Sequence, residues 1–134
     1  MTISIIIIAA TILIAGFFGQ RVFAERMRRY YDRPCTGRLW LNRFPEAKKE
    51  EVRSFLELFT SAFALKRKKK LSFAPDDRIL DIYRTINPRV GGADALECET
   101  LVEECKQHYG VDITEGFSER TTLGDIFYAI RKSA

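Results

Sequence analysis

An uncharged apolar run near the N-terminus constrains this chain more than any other feature. Ile3 to Gly19 reads ISIIIIAATILIAGFFG, 17 residues without a charged side chain. As a helix this run spans about 25 Å, slightly less than a bilayer core of about 30 Å. Local thinning of the bilayer or snorkelling by Arg21 covers the difference. Residues 1–20 are therefore predicted to be a transmembrane anchor, which leaves enough chain for one small domain.

A cleavable signal peptide is the competing interpretation, because Val22 and Ala24 resemble a small-residue cleavage site. Two observations favour the anchor: no Lys or Arg precedes the apolar run, and many arginines follow it. By the positive-inside rule, such a distribution places the following chain in the cytoplasm. The arginines predicted to contact the membrane surface are Arg21, Arg26, Arg28 and Arg29.

The remaining chain has two parts of opposite charge. Residues 21–70 carry 15 basic and 6 acidic side chains, a net charge of +9, whereas residues 71–134 carry 7 and 12, a net charge of −5. Residues 21–44 are predicted to be a basic neck that either continues the helix or lies along the lipid headgroups. Trp40 in this neck is either an interfacial or a core aromatic residue. The change of sign predicts different partners for the two parts.

Residues 45–134 are predicted to form a small all-α bundle after the single transmembrane helix. Pro45 suits the first position of a helix whose apolar residues repeat at helical spacing. These apolar residues are Val52, Phe55, Leu56, Phe59 and Phe63. The helix is expected to end near the basic run KRKKK, residues 66–70, which is interpreted as a solvated end that holds the domain near an anionic membrane. A shorter helix follows Pro75 and ends before Pro88.

Capping patterns indicate two further helices. Asp94 with Glu97, and Thr122 with Asp125, have the spacing of a capping box, in which side chains satisfy backbone N–H groups at a helix start. The first of these helices has an acidic side. Gly110 suits the position just after this helix, where the backbone commonly adopts the left-handed conformation that glycine favours. No strand-like alternation is present outside the apolar run, so the fold class is all-α.

Few residues are able to carry chemistry. The three cysteines, Cys35, Cys98 and Cys105, form no C-x-x-C pair, so neither disulfide nor zinc architecture is predicted. The single histidine, His108, has no nucleophile or partner at a suitable spacing, and the aspartates after Pro75 lack the calcium-loop pattern. The basic run also lacks the interleaved aromatics of nucleic-acid sites. The sequence therefore predicts no enzyme, no metal site and no nucleic-acid partner.

The order of these features resembles the acyl carrier protein family. The resemblance covers residues 45–132, and its most specific parts are ADALECETLVEECKQHYGVDI, residues 93–113, and TTLGDIF, residues 121–127. It implies a helical bundle that carries a phosphopantetheine arm on the serine of an Asp-Ser-Leu motif. It also implies that acidic residues of the following helix dock onto basic patches of partner enzymes.

The residue at the attachment position is an alanine. Asp94 and Leu96 match the aspartate and leucine of the motif, and Ala95 stands in place of the serine. A methyl group has no oxygen to attack the pyrophosphate of coenzyme A, so phosphopantetheine is not expected. The docking residues that the resemblance implies are Glu97, Glu99, Glu103 and Glu104. The anchor and the long region between the first helix and the acidic helix also depart from the family.

These observations lead to one principal functional hypothesis. The chain is expected to be a non-catalytic, membrane-tethered, acyl-carrier-like module that docks a basic partner protein through its acidic helix. Two alternatives stay open: a genuine acyl carrier charged at a non-standard site, and a structural subunit of a membrane complex.

Overall fold

The computed structural model describes residues 1–88 and 96–133. Within these residues the chain is all-α, as the sequence predicts, and the only β-type contact is a single bridge between Arg78 and Thr122. The helices are α1 (Thr2–Tyr31), α2 (Gly37–Arg43), α3 (Lys49–Ala62), a 3₁₀ helix (Arg67–Ser72), α4 (Ile79–Ile86), α5 (Leu96–Tyr109) and α6 (Leu123–Ser133).

Helix α1 joins the apolar run to the folded head without a break. Its 30 residues are about 45 Å long at 1.5 Å per residue. By length and composition this helix is able to cross a membrane, and none of its 18-residue apolar window is buried in the protein. The last turns differ, because Met27, Tyr30 and Tyr31 are buried in the core of the head.

The packed head thus begins earlier than the predicted boundary at residue 45. Of the two alternatives for the neck, the structure has the continued helix. Thr36 and Trp40 are also buried, and their side chains both donate hydrogen bonds to the carbonyl oxygen of Phe73, at 2.7 and 2.8 Å. Trp40 is therefore a core residue. The basic composition of the neck conceals this packing because arginines of the neck stack on its buried aromatic residues, as Arg29 and Arg33 do on Tyr30.

An ion pair fixes the end of α1 to the start of α4. Arg33 binds Asp77 through two hydrogen bonds, Nη1 to Oδ2 at 2.7 Å and Nη2 to Oδ1 at 2.9 Å. The Asp77 side chain is only 10% exposed, and its Oδ2 also accepts the backbone N–H of Ala74 at 2.7 Å. The hydrogen bonds from Arg33 to Asp77 raise the pKa of the guanidinium. This bidentate geometry constrains direction as well as distance.

Helix α3 begins at Lys49, and the prediction that Pro45 starts it is wrong. The N–H of Phe44 ends α2 by donating to Trp40, and the N–H of Ala47 donates to Phe44, so Pro45 lies in the turn between the two helices. Proline suits such a turn because its fixed φ matches the second turn position. The predicted apolar face of the helix is confirmed, with all five of its residues buried.

Aromatic rings connect the helices of the core. Phe127 of α6 packs edge-on against Trp40 and Phe44, with ring centroids 5.6 and 4.9 Å apart, and lies 5.5 Å from Phe55. A second group surrounds Phe73, which follows the 3₁₀ helix and stacks on Tyr30 of α1 at 5.5 Å. Aromatic pairs at these separations add about 0.5–1.5 kcal/mol each beyond the burial of their area.

The capping box of α6 is confirmed. The N–H of Thr122 donates to Asp125 Oδ2 at 3.0 Å, and the N–H of Asp125 donates to Thr122 Oγ1 at 3.1 Å. Gly110 has φ of +67° after α5, and its N–H donates to the carbonyl of Lys106 at 2.9 Å, the expected left-handed helix end. The other predicted cap depends on Asp94, which lies outside the described residues.

Gly124 permits a close approach between α6 and the chain before α4. Its N–H donates to the carbonyl oxygen of Pro75 at 2.8 Å. A Cβ at this position would lie 2.9 Å from that oxygen and 3.0 Å from the guanidinium of Arg43. The hydrogen bond and the added carbon cannot coexist without a backbone shift.

We predict that Gly124→Ala lowers the free energy of unfolding by roughly 1–3 kcal/mol, the usual cost of inserting an atom into a packed region. The matched control is Gly37→Ala in α2, whose Cβ would meet only Cys35 Sγ at an ordinary 3.6 Å. Fluorescence of Trp40, the only tryptophan, reports unfolding of the full chain in lipid nanodiscs. Equal free energies of unfolding for the two variants would contradict the close approach of the Pro75 carbonyl oxygen to Gly124.

Candidate functional site

The buried side of α5 fixes which of its residues face solvent. Cys98, Leu101 and Cys105 are 7%, 0% and 0% exposed and lie in the core. At 3.6 residues per turn, the opposite side of the helix is centred on Leu96 and Glu103. Gln107 is also exposed on that side, and we call three of its exposed residues, Leu96, Glu99 and Glu103, the α5 face.

The four predicted docking glutamates do not have equal surroundings. Glu99 and Glu103 are exposed, and the carboxylate of Glu103 accepts only a long hydrogen bond from Gln107, at 3.4 Å. Glu97 and Glu104 lie on the flank and are partly buried. Glu97 accepts a hydrogen bond from Asn87 at 3.3 Å, and Glu104 lies 3.0 Å from His108 Nε2. The carboxylates most accessible to a partner are those of Glu99 and Glu103.

Leu96 is the apolar part of the α5 face. Its side chain is 69% exposed, although leucine is among the residues most often buried. In the sequence Leu96 belongs to the attachment motif, and its spacing of seven residues from Glu103 is the signal that both residues lie on the same side of the helix. Together these side chains form a small surface with one apolar group beside two negative charges.

The attachment motif is only partly within the described residues. Asp94 and Ala95 lie outside them, and Leu96 is the first described residue of the motif. Thr100, the nearest hydroxyl on α5, donates to the carbonyl oxygen of Leu96 at 2.8 Å. Its proton is therefore engaged in the backbone of the helix.

Two of the three thiols, Cys98 and Cys105, lie in surroundings that suppress their reactivity. Burial, with a smaller contribution from neighbouring glutamates, raises the pKa of Cys98 to about 11 and that of Cys105 to about 12. Such thiols stay protonated at neutral pH, which makes them poor nucleophiles. His108 is exposed and paired with Glu104. In the described part of the chain, no group of three or more His, Cys, Asp or Glu side chains is placed to hold a metal ion.

The arginines predicted to meet the membrane surface all project from α1 and are exposed. Arg21 lies over the ring of Phe17, with its guanidinium carbon 5.5 Å from the centroid, and Arg29 lies over Tyr30 at 5.2 Å. Along the helix axis Arg26 is about 8 Å beyond Arg21, and Arg28 and Arg29 are about 11–12 Å beyond it. The headgroup layer is about 5–8 Å deep on each side of the bilayer. Arg21 and Arg26 therefore fit this layer best.

The basic run 66–70 packs against the end of α1, instead of extending as the end of α3. Lys69 Nζ donates to the carbonyl oxygen of Tyr31 at 3.4 Å, and Lys66 lies 6.0 Å over the ring of the same residue. Lys70 pairs with Glu57 of α3 at 2.7 Å, and the hydrogen bond from Lys70 lowers the pKa of that carboxyl. Tyr31 is about 15 Å of helix beyond Arg21, so lipid contact by this run needs a tilted α1.

Comparisons of the chain with protein-family models, with curated proteins and with solved structures found no match. The resemblance to acyl carrier proteins accordingly stays a prediction from the sequence. The geometry of the α5 face stands independently of it.

Proposed function

We propose that this chain is a non-catalytic, membrane-tethered interaction module that docks a basic partner protein through the α5 face. The observation that carries the proposal is the exposure of Leu96 on the same side of the helix as Glu99 and Glu103. An apolar anchor with charges around it is the usual composition of a docking site.

The two parts of the α5 face contribute differently to binding. Full burial of a leucine side chain is worth about 1.5–3 kcal/mol, so Leu96 supplies affinity. The carboxylates of Glu99 and Glu103 attract a basic surface over a distance of about 10 Å at 0.1 M salt. They mainly supply encounter rate and selectivity, and added salt weakens that contribution.

Carriage of an acyl group is not part of the proposed function. Ala95 has no hydroxyl for a phosphopantetheine arm, and the hydroxyl of Thr100 is bonded to the helix backbone. Alanine is also the best helix former, so its presence at that position favours helix formation while it removes the attachment chemistry. The acidic surface of α5 is therefore able to bind a partner even though Ala95 offers no oxygen for attachment of the arm.

The tether places the module at the cytoplasmic side of the membrane. The arginines that follow the apolar run favour this orientation, with Arg21 and Arg26 at the level of the headgroups and Arg28 and Arg29 just beyond. An alternative function is a structural subunit of a membrane complex. It is favoured by the continuity of α1, which couples the anchor directly to the core of the head.

We predict that Glu99→Lys with Glu103→Lys abolishes capture of basic partner proteins from solubilised membranes, because the surface then repels them. The matched control is Glu46→Lys with Glu115→Lys, which changes the net charge equally at exposed residues outside α5. Capture by the native chain and by the control should also decline as salt rises. Recovery of the same partners by the α5 variant would favour the structural-subunit alternative.

Incubation of the full chain with coenzyme A and a broad-specificity phosphopantetheinyl transferase is predicted to leave its intact mass unchanged. Ala95→Ser tests whether the surrounding surface still serves as a substrate for the transferase. A gain of one arm by the variant alone shows that only the oxygen is missing. A stoichiometric gain by the native chain would instead make it a genuine carrier charged at another residue.

We predict that a membrane-impermeant maleimide labels Cys35 only after the cells are permeabilised. The thiol of Cys35 is exposed, whereas Cys98 and Cys105 are buried, so the label reports the side on which the head lies. Cys35→Ser is the control and should remain unlabelled. Labelling of intact cells would place the head outside the cytoplasm.

A further inference from the structure

A cavity opens between α2 and α3, away from the α5 face. Its volume is about 260 Å³, close to the lower end of the range of about 300–1,000 Å³ for small-molecule sites. Its apolar lining comes from Leu41 of α2, Val52 of α3 and Leu71 of the 3₁₀ helix. The exposed thiol of Cys35 also lines it.

Three cations share this cavity with the apolar lining. Arg38 comes from α2, and Lys49 and Arg53 come from successive turns of α3. None of the residues that line the cavity carries a carboxylate, and no salt bridge within residues 1–88 and 96–133 involves any of the three cations. Like charges four residues apart on a helix destabilise it, so Lys49 and Arg53 cost stability in the absence of an anion.

We propose that this cavity binds a single-chain amphiphile with a phosphate monoester head, the head chemistry of a lysophosphatidate. The three cations bind the phosphate at the rim, and Leu41, Val52 and Leu71 contact the first part of the alkyl chain. The proposal does not depend on the docking function of the α5 face, because none of these residues belongs to α5.

Charge and shape together select this class of ligand. A phosphate monoester carries a charge of about −1.5 to −2 at pH 7, which three cations neutralise better than they would match a single carboxylate charge. Arginine in particular presents a planar fork of donors that fits phosphate oxygens in pairs. The apolar lining gives a free phosphate ion no additional contact. The membrane tether keeps the cavity close to the bilayer from which such amphiphiles come.

Alkylation of Cys35 by iodoacetamide provides a direct measurement of occupancy. Burial raises the pKa values of the other two thiols to about 11 and about 12, so Cys35 is the thiol that reacts near neutral pH. The full chain is held in nanodiscs of zwitterionic phosphatidylcholine, and the rate of labelling is followed by intact mass. The probe is decyl phosphate below its micellar concentration. Iodoacetamide is uncharged, so a bound anion does not repel it.

Decyl phosphate is expected to slow alkylation of Cys35 in a saturable manner, whereas decanol and inorganic phosphate at equal concentration leave the rate unchanged. Arg38→Gln and Arg53→Gln should each raise the half-effect concentration about tenfold, the effect of losing one charge-assisted hydrogen bond. Leu41→Gln should weaken protection through the alkyl chain. Arg120→Gln, an exposed arginine outside the cavity, is the matched control and should behave as the native chain.

Three results would overturn the proposal. If decyl phosphate protected the Arg38 and Arg53 variants as well as it protects the native chain, these cations would not be part of the binding site. If decanoate protected Cys35 as well as decyl phosphate does, the cavity would accept any anionic amphiphile and would not select a phosphate monoester. An unchanged rate with every probe, in a chain whose unfolding temperature is that of the native protein, would show that the cavity takes no such ligand.

Discussion

The burial of the last turns of α1 in the head is the interaction on which the rest of the structure depends. Met27, Tyr30 and Tyr31 belong to the same helix as the apolar run, so that run and the core of the head share one continuous helix. The partly buried ion pair between Arg33 and Asp77 then fixes where the chain leaves that helix. Removing one partner of such a pair leaves an uncompensated charge, commonly a loss of about 3–5 kcal/mol when the pair is fully buried.

The distribution of charge follows from this arrangement. The basic residues fall into two groups, because those on α1 are exposed while Lys69 and Lys70 of the run 66–70 contact the end of α1 and α3. The acidic residues are concentrated in the second half of the chain, where α5 exposes them. The basic surface of α1 and the acidic α5 face thus lie on different elements, so the two proposed partners, anionic lipid and a basic protein, would not compete for the same surface.

Local features of the fold were predictable from the sequence, because they depend on residues close to one another in the chain. The apolar face of α3, the capping box of Thr122 and Asp125 and the left-handed Gly110 are of this kind. Features that join residues far apart in the chain were not predictable from the sequence. The pair of Arg33 and Asp77 spans 44 positions, and the cavity between α2 and α3 requires the relative placement of two helices. Of the α5 face, the sequence predicted the acidic residues but assigned Leu96 to a different role.

The side of α5 that stabilises the fold is distinct from the side proposed for docking. The contribution of α5 to stability comes from Cys98, Leu101 and Cys105, which face the core and do not touch the exposed side. Substitutions on the α5 face therefore cost little stability, typically within about 0.5 kcal/mol for surface positions. Leu96, exposed beside Glu99 and Glu103, therefore contributes little to folding, which is compatible with the docking function proposed for this face.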